Sequence, residues 1–362
     1  MSHVVACNGY SQGTVRTGYE QVIAQRTSDT FATSATADGI VKSINDSGYI
    51  VEYANGETKG YPLGRKYGSA AGLTIPHSVI TNLKEGQKFK EGDILSYNEG
   101  FFEKDLLNPS NVVWKSGITV KTALMESTET IEDCSAISAK TASRLTTKTT
   151  KVKDVIIDFK QSVHKLAKVG TSLISEDILC IIEDSVSTEA TLFNKESLDT
   201  LRILSAMAPQ AHVNGIIERI EIYYHGDRED MSASLKDLTA ISDRELGKRN
   251  KAIGKKAFTG QVDEGFRIDG EPLALDTADI RFYITGDVPM GVGDKGVFAN
   301  QLKSVIGNIF ENKVTTESGV EIDAMFSYNA IQARIVNSSL LIGTTASLLE
   351  VIAKNAVDLY FK

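Results

Sequence analysis

Short β-type segments, each closed by Gly, Asn or Asp, constrain the fold of the first third of the chain. Gly39–Ile44 and Tyr49–Tyr53 flank an Asn-Asp-Ser-Gly turn at 45–48, and Asn55-Gly56 gives a further turn signal. Asn and Gly adopt the left-handed backbone conformation of tight turns, so this spacing predicts a β-hairpin. Ile118–Leu124 alternates apolar with polar residues, as a half-buried strand does. The chain is therefore expected to be built mainly on β-sheets.

Helical patterns are weaker and lie later in the chain. The candidates are Lys195–Ala208, Ser232–Lys256 (with Leu235, Leu238, Ile241 and Leu246 at helical spacing) and Leu340–Tyr360. Phe298, Leu302, Val305 and Ile309 also have helical spacing, which conflicts with a strand at Lys303–Ile309. Together the patterns predict a β-rich, multidomain α+β protein.

A turn motif recurs at three places. Lys88–Leu95 resembles Ser172–Leu179, and Met290–Lys295 is a looser copy. Each places a Gly/Asp-type turn directly before a strand, because Asp accepts hydrogen bonds from nearby backbone and Gly tolerates positive φ. The motif indicates architecture rather than activity.

The charge balance limits the classes of partner. The 362 residues carry a net charge of −8, whereas a protein that coats nucleic acid by charge alone is basic. A local basic site remains open. The cysteines and histidines lack metal-ligand spacing, and no stretch approaches the roughly 20 apolar residues of a membrane span. We expect a soluble, intracellular protein.

Several charged residues could bind a nucleotide. Lys295 and Lys303, eight residues apart, could hold phosphates as point charges, and Arg334 could add a forked donor. Glu132 and Asp133 could approach a metal-bound triphosphate. From the residues alone, solvated surface charges are the commoner interpretation of each set.

Two further motifs are less specific. Gly291–Gly296 matches the dinucleotide-binding pattern G-x-G-x-x-G, but its surroundings lack the βαβ context that this pattern requires. The basic run Lys248, Arg249, Lys251, Lys255 and Lys256 could touch a nucleic-acid backbone, although such runs are usually solvated helix faces.

Taken in order, these segments resemble the β subunit of multisubunit DNA-dependent RNA polymerases. The similarity covers nearly the whole chain, and its motifs are the Gly293-Asp294-Lys295 triplet, Lys303, Gly319–Asp323, Ala330–Ile335 and Ile342–Glu350, preceded by Thr17–Glu20, Glu132-Asp133, Lys168–Leu179 and Gly215–Glu218. They correspond to the family's G-D-K, second lysine, G-x-x-V-D-I, V-P-S-R-M and G-x-x-x-E motifs and to its T-G-M-E, E-D, G-D-I-L and G-x-V segments.

Two departures from the family stand out. The R-H-G-N run between the family's lysines is replaced by Gly296–Leu302, and V-P-S by Ile331–Ala333. The N-terminal half of β and the segment that anchors β to β′ have no counterpart here. This divergence resembles the split subunits of giant bacteriophages.

The resemblance implies a double-psi β-barrel made of two sequence pieces. The implied regions are a β-rich hybrid region at 1–116, barrel pieces at 117–150 and 281–335, a flap- or wall-like insert at 151–280 and a C-terminal helix at 336–362. The barrel requires a strand rather than a helix at Lys303–Ile309.

The resemblance also implies roles for the charged residues. Lys295 and Lys303 would be catalytic, facing the RNA 3′ end and the incoming nucleotide. Arg334, Asp133 and Glu132 would bind substrate, while the basic residues Lys248, Arg249 and Lys251 would contact nucleic acid. Mg²⁺ would be bound mainly by a β′-like subunit, so this chain alone would hold no metal.

The implied partners are the N-terminal part of β, β′-like subunits, DNA template, RNA product and nucleoside triphosphates, with a promoter-specificity subunit as a further candidate. The compartment would be the host cytoplasm or the phage particle, not a membrane. Two alternatives stay open: a β-rich scaffolding protein of polymerase ancestry without catalytic role, and a stand-alone nucleotide-dependent enzyme using Gly291–Gly296.

Overall fold

The structure is a computed structural model that describes residues 5–70, 73–184, 207–256 and 258–361. Strands make up about 39% of it and helices about 20%, so the predicted β-rich α+β character is confirmed. The predicted helix Lys195–Ala208 falls largely outside the described residues.

The elements are numbered in chain order. The strands are β1 (Ala32–Ser34), β2 (Gly39–Asn45), β3 (Gly48–Tyr53), β4 (Thr58–Pro62), β5 (Gly64–Ala70), β6 (Leu73–Ile80), β7 (Lys88–Phe89), β8 (Ile94–Asn98), β9 (Phe102–Lys104), β10 (Val112–Trp114), β11 (Thr122–Leu124), β12 (Cys134–Ser138), β13 (Thr147–Asp158), β14 (Ser162–His164), β15 (Ser172–Leu173), β16 (Ile181–Glu183), β17 (Gly215–His225), β18 (Arg267–Ile268), β19 (Glu271–Pro272), β20 (Thr277–Val288), β21 (Lys295–Phe298), β22 (Leu302–Phe310) and β23 (Ala324–Phe326). The α-helices are α1 (Ala139–Arg144), α2 (Ala233–Ala252), α3 (Tyr328–Ala333) and α4 (Asn337–Tyr360), and short 3-10 helices lie at Tyr19–Gln21, Ile23–Arg26 and Arg228–Asp230.

The predicted N-terminal hairpin is confirmed as β2 and β3. The two strands pair antiparallel from Gly39 with Tyr53 to Asn45 with Gly48. The Asn45 side chain accepts hydrogen bonds from the backbone N–H of Ser47 and Gly48 at 2.9 and 3.1 Å. β4 and β7 extend this hairpin into a four-stranded sheet of order β4-β3-β2-β7.

An eight-stranded sheet connects the N-terminal region to the middle of the chain. Its order is β1-β8-β6-β13-β20-β17-β15, with β5 paired to β6. β13 pairs with β20 along its full 12 residues, and β20 pairs in turn with β17. Three further two-stranded pairs are β9–β10, β14–β16 and β18–β19.

The largest core lies against one face of this sheet. Ile157, Ile217, Ile280 and Phe282 project from its three long strands and are almost completely buried with Leu235 of α2. Burying side chains of this size contributes roughly 1.5–3 kcal/mol each, so this contact fixes α2 on the sheet.

The predicted helix Ser232–Lys256 is confirmed as α2. Ser232 caps it, its hydroxyl oxygen accepting a hydrogen bond from the Leu235 N–H at 3.4 Å. The buried stripe runs through Leu235, Thr239, Ser242 and Leu246, whereas Ile241 is exposed. The helix was therefore predicted correctly, but Thr and Ser occupy part of its inner face. The predicted C-terminal helix is also confirmed, as α4.

A five-stranded sheet combines two distant parts of the chain. Its order is β11-β23-β12-β22-β21; β11 pairs parallel with β23, and β12 pairs parallel with β22 and antiparallel with β23. In the described part of the chain no hydrogen-bonded pair joins the edge strands β11 and β21, so a closed double-psi β-barrel is not confirmed.

Two local predictions within this sheet have different outcomes. The strand predicted at Lys303–Ile309 is confirmed as β22, although the apolar residues of this segment have helical spacing. The strand predicted at Ile118–Leu124 is too long, since only Thr122–Leu124 joins the ladder. Just before it, the Lys121 N–H donates instead to the Asp323 carboxylate at 2.9 Å, so the regular pairing begins only at Thr122.

Candidate functional site

The two predicted catalytic lysines lie on one hairpin. β21 and β22 pair antiparallel, with Lys295 opposite Val305 and Val297 opposite Lys303. Opposite residues in such a pair share a face, as do residues two apart on one strand, so both lysines project from the same face as diagonal neighbours. Their Cα atoms are therefore about 7–8 Å apart by strand geometry.

The opposite face of the hairpin is apolar. Leu302 is buried with Phe326 and Ile331, and Phe298 packs against the same cluster. Packing against this core thus fixes one face of the hairpin and leaves both lysines exposed on the other face. Neither ammonium group makes an ion pair or hydrogen bond with any residue that the structure describes.

The turn before β21 excludes the dinucleotide-binding interpretation. Gly293 has a φ of 92°, and the Asp294 carboxylate accepts a hydrogen bond from the Gly291 N–H at 2.8 Å. An antiparallel strand follows instead of a helix, so no helix N-terminus is available for a pyrophosphate.

The recurrent Asp turn predicted from the sequence forms at all three places, but a strand follows directly only after Asp93 and Asp294, because β16 begins four residues after Asp177. The carboxylates of Asp93, Asp177 and Asp294 each accept a hydrogen bond from the N–H three residues earlier, at 2.8 Å. The motif therefore forms turns in three separate parts of the molecule.

The predicted substrate-binding residues Asp133 and Arg334 form an ion pair with each other. Arg334 follows α3 as its C-terminal cap. Asp133 precedes β12, and its carbonyl oxygen accepts hydrogen bonds from the Val305 N–H at 2.9 Å and the Ser304 hydroxyl at 2.8 Å. The pair therefore lies beside the strand that carries Lys303. The neighbouring Glu132 is exposed and has a φ of 56°.

Two acidic residues that the sequence analysis missed support this region. The Glu126 carboxylate accepts hydrogen bonds from the Ser327 hydroxyl and the Asn329 N–H, both at 2.9 Å, at the start of α3. The backbone hydrogen bond from Asn329, followed by that from Ser327, lowers the pKa of Glu126. Glu129 accepts from the Asn308 amide at 2.8 Å. No local sequence pattern predicts these contacts, because the partners are distant in the chain. Ser327, for example, lies 201 positions after Glu126.

The residues of the basic run on α2 have different ion-pair partners. Lys248 pairs with Glu245 on the helix surface at 2.6 Å, whereas Arg249 reaches the buried carboxylate of Glu221 at 2.8 Å. Lys251 forms no ion pair within the described ranges. Arg249 therefore has a structural partner that the sequence did not reveal.

Glu221 is the centre of a buried polar network. It accepts hydrogen bonds from the hydroxyls of Tyr223 and Tyr283 at 2.8 and 3.0 Å, besides its pairing with Arg249. Burial alone would raise its pKa, but the Tyr223 hydrogen bond and the arginine charges outweigh burial and lower it. Glu221 is therefore held ionised.

Two further carboxyl groups share one arginine on the same sheet face. The Arg281 guanidinium contacts Asp154 at 2.5 Å and Asp279 at 3.4 Å. Asp279 is completely buried, and its oxygens have no hydrogen-bond donor among the described residues. Burial, and then the charge of Asp154, raise the pKa of Asp279 to about 8 against the opposing effect of Arg281.

Comparison of the sequence with models of protein families and with characterised proteins found no match. The resemblance to RNA polymerase therefore rests on the collinear sequence motifs alone. The structure puts Lys295 and Lys303 on one face, and Asp133 with Arg334 beside the same strand. Among the described residues, no hydrogen bond or ion pair joins the side chains of the lysines to that ion pair.

Proposed function

We propose that this chain is the C-terminal part of the β subunit of a multisubunit DNA-dependent RNA polymerase, in the split form of giant bacteriophages. It would contribute nucleotide- and RNA-contacting side chains to template-directed transcription. The five-stranded sheet carries the proposal, because it brings together the two segments in which the polymerase-like motifs lie. Lys121 and Asp323, bonded across this sheet, are 202 positions apart.

The double-psi β-barrel and the implied regions belong to this proposal. Two parallel pairs, β11 with β23 and β12 with β22, interleave the segments before and after the insert. Such interleaving is what a barrel assembled from 117–150 and 281–335 needs. The insert at 151–280 would be the flap-like wall, and 1–116 the hybrid region.

Lys295 and Lys303 would stabilise negative charge during nucleotide addition. Phosphoryl transfer develops charge on phosphate oxygens, and fixed cations placed there lower the barrier without solvent reorganisation. Both ammonium groups are exposed, share a face and are unpaired within the described part of the chain. They are therefore free to contact the RNA 3′ end and the incoming nucleotide.

Arg334 and Asp133 would exchange partners when a nucleotide binds. Arginine binds phosphate through two parallel hydrogen bonds, so the triphosphate can compete with the Asp133 carboxylate for Arg334. The displaced carboxylate, with Glu132 beside it, would then face the cation that accompanies the triphosphate. Both side chains of the pair are partly exposed, which permits the exchange.

The chain's own carboxylates fit a supporting role towards Mg²⁺. Across the described ranges no three His, Cys, Asp or Glu side chains converge on one point. Asp133 and Glu132 would therefore add to ligands on a β′-like partner, and Mg²⁺ bound there would supply positive charge to the triphosphate. Lys251, unpaired among the described residues, remains available for nucleic acid or for a partner, whereas Lys248 would first have to leave its surface ion pair with Glu245.

The deciding experiment is template-dependent RNA synthesis by the complex that co-purifies with a tagged form of this chain. Lys303→Ala should reduce synthesis at least tenfold with the complex intact, because it removes a charge at the reacting phosphates. Lys151→Ala is the matched control, since Lys151 is likewise an exposed, unpaired lysine on a strand of the described structure.

Two outcomes would contradict the proposal. A complex that synthesises RNA equally well without Lys303 would show that the site assignment is wrong. A chain that purifies alone and makes no RNA would favour the scaffolding function.

A further inference from the structure

The short helix α3 is held at both ends by the loop between β11 and β12, residues 125–133, which we call the clamp loop. At the start of α3, the Glu126 carboxylate accepts hydrogen bonds from the Ser327 hydroxyl and from a backbone N–H, both at 2.9 Å. At the end of α3, Arg334 forms an ion pair with Asp133. The clamp loop therefore contacts both ends of the helix that presents Arg334.

The start of α3 depends on Glu126. The helix has only six residues, and helices shorter than about 12 residues are marginal on their own. The hydroxyl of Ser327, a residue that is only 1% exposed, accepts a hydrogen bond from the Ala330 N–H at 3.0 Å and donates one to Glu126. Removal of Glu126 would take the acceptor from this buried hydroxyl and from the Asn329 N–H.

The clamp loop in turn holds Glu126 in a fixed position. The hydroxyl of the buried Thr130 donates a hydrogen bond to the Met125 carbonyl at 2.8 Å and accepts one from the Ser127 N–H at 2.9 Å. The Met125 N–H donates to the Phe326 carbonyl at the end of β23, at 3.1 Å. These bonds lie on both sides of Glu126, so they fix the backbone from which its side chain extends.

The two contacts of the clamp loop differ in how readily a ligand can open them. The side chains of Arg334 and Asp133 are 38% and 55% exposed, and exposed ion pairs are weak. Phosphate oxygens can therefore replace Asp133 as the partner of Arg334. The Glu126 contact lies at the other end of α3, about 9 Å away at 1.5 Å per residue, so a ligand at Arg334 does not compete for it.

The next helix, α4, gives Arg334 no directional support. By length and composition α4 could cross a membrane, with a mean hydropathy of 1.4 over 18 residues, which corrects the expectation that no such stretch exists; one such helix does not by itself indicate a membrane protein. Of its 24 residues only Ser339 is buried. Val336 and Leu340, where α4 begins, pack against the cluster that contains Ile331, but apolar contacts are not directional. The direction of Arg334 is therefore set through α3.

We propose that Glu126 is a positioning residue, which keeps α3 fixed when Arg334 exchanges Asp133 for the phosphates of a polyphosphate ligand. The inference rests on the phosphate-binding role proposed above for Arg334 and deepens it. A guanidinium that is already held in place loses less conformational freedom on binding, so the ligand binds more tightly. Glu126 acts only through α3, because a carboxylate repels phosphate.

The direction of the effect separates positioning from simple electrostatics. Loss of a negative charge near an anion site strengthens phosphate binding, whereas loss of a positioning residue weakens it. Inorganic tripolyphosphate is titrated into the purified chain at low salt, and binding is followed by phosphorus NMR. We expect Glu126→Ala to weaken binding about fivefold and Glu126→Gln to stay within about twofold of the parent, because the amide oxygen can accept the same two hydrogen bonds.

Glu129→Ala is the matched control. It removes a carboxylate from the same loop, but Glu129 accepts a hydrogen bond from Asn308 of β22 rather than from α3. Tripolyphosphate binding by this variant should stay within about twofold of the parent or become slightly tighter. Urea unfolding of each variant checks that the chain remains folded.

A second comparison removes Arg334 itself. Arg334→Ala should weaken tripolyphosphate binding about tenfold, as expected for the loss of charge-assisted hydrogen bonds. In that background Glu126→Ala should change binding by less than about twofold, because no guanidinium is left to position. A general loss of structure would instead weaken binding equally with and without Arg334.

Unchanged or tighter binding by Glu126→Ala would overturn the inference, as would equal losses with and without Arg334. A parent chain that does not bind tripolyphosphate, or that binds it equally well after Arg334→Ala, would overturn it too. Because RNA synthesis is not the readout, the two proposals fail separately. A chain that binds tripolyphosphate as expected, in a complex that makes no RNA, would contradict the proposed function alone.

Discussion

Arg334 donates a hydrogen bond to the carboxylate of Asp133, although the two residues lie 201 positions apart in the sequence. The sequence motifs assigned them separately, one to the triphosphate and the other to its cation. In the structure each neutralises the other. A ligand that carries both charges can satisfy both residues at once, which a bare anion or a bare cation cannot.

Breaking this pair should have little effect on folding. Both side chains are well exposed, and exposed ion pairs contribute only about 0–1 kcal/mol. We expect Asp133→Asn to lower the free energy of unfolding by less than about 1 kcal/mol in urea titrations. Glu321→Gln, which breaks the exposed Lys140–Glu321 and Lys313–Glu321 pairs, is the comparison. A much larger loss in Asp133→Asn alone would make the pair structural.

The two lysines proposed to be catalytic should also be replaceable without loss of stability. Lys295 and Lys303 are exposed and have no ion-pair partner in the described structure, so Lys295→Ala and Lys303→Ala should stay within about 0.5 kcal/mol of the parent. Thermal unfolding of the two variants measures this. A drop of several degrees in either would mean that lost activity reflects lost folding, and the activity test would need a milder substitution such as Lys303→Gln.

The parts of the fold that the sequence predicted are those determined by local chemistry. Asn45 specifies the hairpin turn because its side-chain oxygen accepts hydrogen bonds from the backbone N–H groups of Ser47 and Gly48. Ser232 and the apolar residues that follow specify the start of α2. In both cases the interacting groups are close neighbours in the chain, so their pattern is visible without the structure.

The parts that were missed depend on distant partners. Ile118–Leu124 alternates as a strand does, but the Asp323 carboxylate binds the backbone N–H of Lys121 and the ladder begins only at Thr122. The Arg249 guanidinium looked like part of a solvated basic run, yet it pairs with Glu221 on another element. Periodicity reports which face of an element is apolar, not which residue elsewhere meets it.

The basic run on α2 should therefore separate into residues with different effects. Arg249→Ala removes a partner of a buried carboxylate that keeps its tyrosine hydrogen bonds, so we expect a loss of about 1–3 kcal/mol of unfolding free energy. Lys251→Ala should change stability by less than about 0.5 kcal/mol, because Lys251 is unpaired within the described ranges. Urea unfolding distinguishes the two. Equal effects would show that Arg249 does not support Glu221.

Asp279 should make the protein less stable as the pH rises. Its pKa is raised to about 8 by burial and by Asp154, against Arg281, while Tyr223 lies opposite it on β17. Well below pH 4, this carboxyl is protonated in both the folded and the unfolded chain. Between about pH 4 and pH 8 the unfolded chain releases the proton and the folded chain keeps it, so the unfolding free energy falls by up to about 1.4 kcal/mol per pH unit.

Asp279→Asn tests this directly, because the amide is similar in shape, stays neutral and can donate a hydrogen bond to Asp154. We expect the variant to lose much of the decline between pH 5 and pH 8 in urea unfolding and to be the more stable protein at pH 8. Asp287→Asn, an exposed position on the same strand, should keep the parental pH dependence. If Asp279→Asn retained the full decline, the proton would reside on another group of the cluster, and Asp154→Asn would be the variant to remove it.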